Sequence, residues 1–304
     1  MAWAATAPSN IALIKYMGKE DGNIPTNISL SYSLDRFTTE VRLELNNETD
    51  ADVFVNQENL LPEECQRFLE HLAYIKELCN FCGNFTVKSK NNFPHSAGIA
   101  SSASSFAALT LCAFDAISEI KNAPSPTVDF MSSVSRKASG SSCRSFFFPW
   151  CVWDENSARK IDLPNCKILR HDLILINSEK KEISSSDAHK LIRTSLLADG
   201  RKERAENRFY RLISALNADN WQAAYQICWE EFSDMHAMFE TSSPHFGYMH
   251  PETTRALVEI RRFWKTHNDG PIVTIDAGPN VHLLWREDSE DLRREFKRCL
   301  RHLF

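Results

Sequence analysis

The sequence has no excess of basic residues, no long apolar run, no internal repeat and no low-complexity tract. A formal charge of -5 argues against nucleic acid as a main partner, because that binding needs a clustered basic face. No apolar stretch approaches the roughly 18 residues that a membrane-spanning helix requires, so no membrane association is expected. The N-terminus, MAWAATAPSN, lacks the basic and apolar regions of a secretory leader. Nine cysteines, an odd number without a leader, point to free thiols in a reducing cytoplasm. Cys79 and Cys82 form a CxxC with no second pair at zinc spacing, which favours packing over metal binding. The GxxxxGK[ST] phosphate loop is absent as well.

What is present suits a soluble globular chain. Its 304 residues fit one large or two ordinary domains, and 43% hydrophobic residues can fill a sizeable core. Residues 37–45 alternate through Val41, Leu43 and Leu45, which predicts a half-buried strand. Pro62 opens a predicted helix over 62–79, and 84–89 reads as a strand. The stretch 101–117 is apolar nearly all round and predicts a buried helix. A further helix is expected over 127–138, and strands over 146–153 and 172–177. The polar run SEKKEISSSD at 178–187 marks a domain break. Residues 187–240 read as helical, with Phe209, Leu212, Ile213 and Leu216 on one face. Residues 271–286 read as two strands joined by a Gly-Pro turn. Arg293, Arg294, Lys297, Arg298 and Arg301 form the solvated face of a C-terminal amphipathic helix. The class is α+β, without a regular βαβ repeat.

Four segments carry chemistry. In the first, Pro94 to Ser105, small residues and hydroxyls lead into a buried helix. A helix N-terminus offers unpaired N–H groups and a positive dipole end, so this suits a phosphate; a serine-capped core helix reads equally well. In Ser139-Gly140-Ser141-Ser142-Cys143-Arg144-Ser145, one Arg among serines could grip a carboxylate or phosphate, or lie in a surface loop. Asp276 ends an apolar strand before Gly278-Pro279, which suits either a partly desolvated base or a turn-forming carboxylate. Lys15 and Lys19 flank Tyr16 near the N-terminus, in an active site or as snorkelling lysines on a strand.

Together and in order, these segments resemble the mevalonate diphosphate decarboxylases of the GHMP kinase superfamily. The family pattern APxNIAxIKYWGK is met by Ala7 to Lys19 and the nucleotide loop by Asn91 to Ser104. SGSACRS is met by Ser139 to Ser145, and TxDAGPN by Thr274 to Asn280. The resemblance implies a two-domain GHMP-kinase-like fold. Residues 1–178 would form a nucleotide-binding domain like domain 2 of ribosomal protein S5. Residues 179–304 would form a ferredoxin-like domain completing the cleft. It implies catalytic roles for Asp276, Lys15 and Arg144, the last holding the substrate carboxylate. Asn10, Tyr16, Lys19, Ser139, Ser141, Ser184 and Ser185 would line the substrate. Pro94, Ser96, Gly98, Ala100, Ser101, Ser102 and Ser104 would hold ATP phosphates, with Mg²⁺ as cofactor and no metal ligand assigned. A homodimer is expected on the same ground.

The implied reaction is phosphorylation of a tertiary alcohol, then loss of phosphate and carbon dioxide. Departures sit near the substrate. Met17 replaces a Trp, 147–150 (FFPW) replaces a Gly pair, Ser105 replaces a Gly, and Ala188-His189 replaces Gly-Met. Arg67 lies near the helical arginine that reaches the substrate's terminal phosphate. The rival readings are a mevalonate 5-phosphate decarboxylase, a mevalonate 3-kinase and a silent nucleotide-binding protein. Lys15, Arg144 and Asp276 together favour the decarboxylase.

Overall fold

A computed structural model describes residues 1–56, 60–93, 101–155, 157–166, 168–177 and 181–303. The chain opens with two long strands, β1 (Ala2–Ile14) and β2 (Ser29–Asn46), antiparallel from Ala2↔Glu44 to Ile14↔Leu30. The other side of β2 is shared. Its C-terminal half pairs with β4 (Asn84–Asn91), its N-terminal end with β5 (Trp150–Trp153). A short β3 (Val53–Val55) adds parallel to β4, and β6 (Ala158–Lys160) adds to β5. Between β3 and β4 runs α1 (Pro62–Leu78). Pro62 sits where no helical N–H is needed, and Glu64 accepts from the Leu61 N–H at 2.9 Å. Next come α2 (Ser101–Ile120) and α3 (Val128–Ala138), the latter capped by the Thr127 hydroxyl.

The second sheet takes β7 (Leu169–Ile174), β8 (Ile272–Thr274) and β9 (Val281–Arg286), all antiparallel, with β9 central. Its helices are α4 (Ser185–Leu191), α5 (Arg201–Asn217), α6 (Trp221–Glu240), α7 (Pro251–His267) and α8 (Glu290–Cys299). The second sheet thus begins before residue 179, because β7 pairs with β9 although it precedes the polar run. Over 187–240, α4 ends at Leu191 and Gly200, in the left-handed conformation, opens α5. Residues 140–146 form a 3-10 turn, so the strand expected over 146–153 starts only at Trp150.

α2 is long and apolar enough to cross a membrane, contrary to the expectation from sequence, but 72% of that stretch is buried inside the protein. It packs on β1 and β2 with α1 alongside, through Phe106, Leu109, Cys112 and Ala113. The second core is shared between the halves. Ile11, Leu13 and Ile14 of β1 and Leu30 and Tyr32 of β2 pack with Ile272, Leu283, Phe232 and Leu212. One end of the β1–β2 pair is therefore in one core and the other end in the second. The cysteines are unpaired, and Cys112, Cys143, Cys151, Cys166 and Cys228 are buried packing groups. On α8, Arg294 faces solvent as expected, but Arg293 and Lys297 turn inward and clamp the Asp172 carboxylate at 2.7 and 2.6 Å.

Candidate active site

Lys15 follows the last residue of β1, and Asp276 lies just beyond β8. Packing of β1 beside β8, with the Thr274 hydroxyl donating to the Ala12 carbonyl at 3.0 Å, brings them together. Lys15 Nζ donates to Asp276 Oδ1 at 2.6 Å. The two sides of this pair differ: the Lys15 side chain is 2% exposed and that of Asp276 is 31% exposed, so the carboxylate has an open face. Burial pushes the Asp276 carboxyl up. The charge and hydrogen bond of Lys15, with His282 and Arg144, outweigh it and hold the group below its ordinary value of 3.8. For Lys15, burial wins over the pull of Asp276 and Glu231 and lowers its pKa.

The sign of this shift sets a pH window. A depressed carboxyl contributes stability that is present above the unfolded value and lost as pH falls through the folded one. Titration of the Asp276 carboxyl carbon by NMR is therefore expected to give a midpoint below 3.8. A midpoint above it would remove the ion pair as the controlling interaction.

The turn holding Asp276 is anchored on several sides. Gly278 N–H donates to the Asp276 carbonyl at 2.7 Å, and the Thr253 hydroxyl donates to the Pro279 carbonyl at 2.8 Å. Asn280 takes the N–H groups of Ile176 and Asn177. His236 Nε2 lies 3.1 Å from the Asp276 carbonyl, which can only accept, so that nitrogen carries the proton. Burial, reinforced by Lys15, lowers His236 to about 3 and keeps the ring neutral. Lys181 also donates to the Ala277 carbonyl.

Arg144 is 4% exposed. Its Nε donates to Asn10 Oδ1 at 3.0 Å and its Nη1 to Ser29 Oγ at 2.9 Å. Trp153 and Tyr16 lie against the guanidinium, at 5.6 and 6.0 Å from their ring centres. Among the described residues it pairs with no carboxylate within ion-pair distance, so its charge is available to an incoming anion. Asn10, expected at the substrate, spends both ends on protein, since Nδ2 donates to Ser145 Oγ at 2.8 Å. It orients Arg144.

Ser139 joins two of the hydroxyl segments, its Oγ donating to Ser102 Oγ at 3.3 Å and lying 3.5 Å from that of Ser141. The Arg144 segment therefore abuts the N-terminus of α2. Ser101 and Ser102 are half-buried there. Ser104 is fully buried and bonded to Thr39 at 2.6 Å, which makes it structural, because nothing outside the core can reach it. Pro94, Ser96, Gly98 and Ala100 lie outside the described residues.

Tyr16 packs between Trp153 and His189, 4.4 and 4.5 Å between ring centres and tilted by 48° to each, and burial pushes its phenol up. Gly140 fits against that ring because a Cβ would lie 2.5 Å from the Tyr16 oxygen. Lys19 Nζ donates to Asn23 at 2.8 Å. Burial and the charges of Lys190 and Arg67 lower its pKa against the pull of Asp187, which itself pairs with Lys190 at 3.4 Å. Ser184 caps α4, its hydroxyl donating to Asp187 Oδ2 at 2.7 Å, and Ser185 is exposed on the first turn. A cavity of about 390 Å³ between Cys166, Trp221 and Arg286 includes none of these groups. Charge and geometry, rather than cavity size, therefore define the site.

Sequence reading matches 24–35 to the family but assigns no role to Asn27 or Ser29, and it misses the Glu231 network. Asn27 donates to the Lys15 carbonyl at 2.9 Å. Glu231, wholly buried on α6, accepts from the Lys15 N–H at 2.9 Å and from Arg201 and Arg208. A signal for Glu231 existed: an acid within the apolar stripe Ile227, Cys228, Phe232, Met235 needs buried partners.

Residues 7–162 match the diphosphomevalonate decarboxylase-like N-terminal domain, and 173–304 match the mevalonate 5-diphosphate decarboxylase C-terminal domain. The chain belongs to the mevalonate diphosphate decarboxylase family. A mevalonate diphosphate decarboxylase from Legionella pneumophila is 47% identical and superposes with a TM-score of 0.92, over 98% of this chain and 97% of that one. The complex of MDDEF with MVAPP, AMPPCP and magnesium is 29% identical, with a TM-score of 0.87 over 97% and 92% of the two chains. The Saccharomyces cerevisiae diphosphomevalonate decarboxylase is 29% identical over an alignment of 320 positions that covers 94% of this chain and 78% of that protein. The two family domains and the superposed structures thus cover nearly all of the chain.

Proposed function

We propose that this protein converts mevalonate 5-diphosphate to isopentenyl diphosphate, consuming ATP and releasing ADP, phosphate and carbon dioxide. One observation carries the reading: an ionised Asp276, 2.6 Å from Lys15 and open on one face, stands near an Arg144 that pairs with no carboxylate among the described residues. The ligands of the MDDEF complex, MVAPP and an ATP analogue with magnesium, support it.

The chemistry follows from charge. Asp276 accepts the proton of the substrate's 3-hydroxyl as that oxygen takes the γ-phosphoryl group. Backbone N–H groups at the start of α2, with Ser101, Ser102 and Ser139, face the nucleotide phosphates. Among the described residues no three His, Cys, Asp or Glu side chains cluster to hold a metal. Magnesium brought in with the nucleotide would supply charge neutralisation for the phosphoryl transfer beside the hydroxyls at the start of α2. Next the C3–O bond breaks and phosphate leaves with the electron pair. The bond from C2 to the carboxyl carbon then supplies the electrons of the new double bond, and carbon dioxide departs. Asp276, again an anion once its proton is passed on, faces the positive charge developing at C3. Arg144 holds the carboxylate in line through its fork. Lys19, Arg67 and Lys190 suit the more highly charged 5-diphosphate over the 5-phosphate.

Steady-state assays on both phosphorylated mevalonates, with ATP and Mg²⁺, test this. Carbon dioxide should appear in step with ADP, and faster from the diphosphate. ADP without carbon dioxide would mean a 3-kinase, and no ATP consumption a binding protein. The same reading makes the enzyme cytoplasmic and homodimeric, with the half built on the first sheet holding nucleotide and the half built on β7, β8 and β9 closing the cleft; light scattering checks the dimer.

Arg144→Lys keeps the charge but cannot engage Asn10, Ser29 and a carboxylate together. With one or two charged hydrogen bonds lost, kcat/KM for the phosphorylated substrate should fall roughly 100-fold while ATP affinity stays unchanged. Equal loss of ATP affinity would place Arg144 on the nucleotide instead.

A further inference from the structure

The turn carrying Tyr16 and Lys19 has no regular structure of its own. Gly18 sits there at φ +101°, with the Thr26 hydroxyl 2.3 Å from where a Cβ would be, so only glycine fits. Two straps from the C-terminal half hold it. His189 Nδ1 lies 3.0 Å from the Gly18 N–H, and Arg193 donates to the Lys19 carbonyl at 2.6 Å. The N–H can only donate, so Nδ1 is the acceptor and a neutral ring carries its proton on Nε2. His189 is 6% exposed and its ring lies against Tyr16, tilted by 48°. Burial, reinforced by the charges of Lys19 and Arg144, lowers its pKa to about 3 and excludes the imidazolium, which could not accept this bond.

The residues beside the straps fit one another. Met17 packs in one buried cluster with Ala188 and Ile192. Met17 and Ala188 stand where the family pattern has a Trp and a Gly, and His189 follows Ala188 on α4.

We propose that His189 is a positioning residue that couples α4 to the substrate-phosphate grip: by accepting the Gly18 N–H, it fixes where Tyr16 and Lys19 present themselves. This rests on the reading that Tyr16 and Lys19 face the phosphorylated end of the substrate. It predicts a split in the kinetics, since the strap touches neither Asp276 nor the α2 N-terminus.

The test compares wild type, His189→Leu and His189→Asn. Leucine removes the acceptor, while asparagine keeps an oxygen near the position of Nδ1. In His189→Leu the KM for mevalonate 5-diphosphate should rise about tenfold, the factor one net hydrogen bond to a buried donor is worth, with the KM for ATP unchanged. His189→Asn should recover most of that loss. An unchanged substrate KM in His189→Leu, or equal rises for both substrates, would overturn the proposal. Hydrogen exchange on the wild-type enzyme adds a measurement independent of any variant's folding. The Gly18 amide should be protected, and exchange at the free-peptide rate would also overturn it. Wild-type turnover in the same assay reports on the decarboxylase reading separately.

Discussion

Asp276→Asn is expected to fold and to bind ATP while turnover falls by at least about 10²–10⁴-fold, the range for loss of a positioned acid–base group. The amide has nearly the same shape, so the turn held by Gly278, Thr253 and Asn280 should persist. The cost beyond catalysis is electrostatic. Lys15 is 2% exposed and would lose its counter-ion. Removing one partner from a buried pair costs about 3–5 kcal/mol, but that figure is for pairs dry on both sides. Asp276 is 31% exposed, so the thermal penalty should be well below it. Lys15 would also more readily lose its proton, because the largest remaining influence on it is burial. Rapid-quench measurement of ADP and carbon dioxide, with ATP titration by calorimetry, checks both halves of the expectation. Near-normal carbon dioxide release from the variant would remove Asp276 from the chemistry.

The second large effect concerns stability. Glu231→Gln should lower the melting temperature by roughly 5–15 °C, from a loss of about 3–5 kcal/mol spread over a chain of this size. Glu231 is 0% exposed and receives hydrogen bonds from Arg201, Arg208 and the Lys15 N–H. An amide carries no charge, so the two guanidinium groups would be left to Asp234, with Glu230 a longer 3.9 Å from Arg208. That residual partner places the expected loss toward the lower end. Burial pushes the Glu231 carboxyl up, but Arg201, the Lys15 N–H and Arg208 prevail and hold it below its ordinary 4.5. The stabilisation is therefore complete above that pH and fades as pH falls through the folded value. The gap in melting temperature between wild type and Glu231→Gln should be full at pH 7 and narrow in acid. Calorimetric scans across pH measure it, and a gap that widens on acidification would contradict the charge account.

Much of this was legible because it is local. The helical face of Phe209, Leu212 and Leu216, the apolar length of α2, and the two strands around Gly278-Pro279 all announce themselves within a few residues. The ordered motifs around Lys15, Arg144 and Asp276 named the groups that meet, though not how. What stayed hidden depends on distant partners. Apolar Phe146 and Phe147 looked like strand, yet Phe146 ends the 3-10 turn that places Arg144 against Asn10 and Ser29. The break between α4 and α5 carries no strong helix breaker beyond Gly200. Strand β7 precedes the polar run but belongs with β9 through register alone. His189 looked like a mere departure from a pattern until its ring was seen against Tyr16 and Gly18.

The first strand, with one end in each core, also has a consequence for how the chain comes to exist. Lys15 and Asp276 are 261 positions apart, and Ala12 and Thr274 are 262 apart. On a ribosome emitting residues from the N-terminus, the outer end of β1 can pair with β2 and pack under α2 early. Its inner end, with Ile11, Leu13 and Ile14, must wait for β8 and β9. Until then an apolar strand end and a lysine sit without their partners. Nascent chains halted before about residue 270 should accordingly be sticky and wholly inert, and activity should emerge in a single step as the last strands leave the exit tunnel.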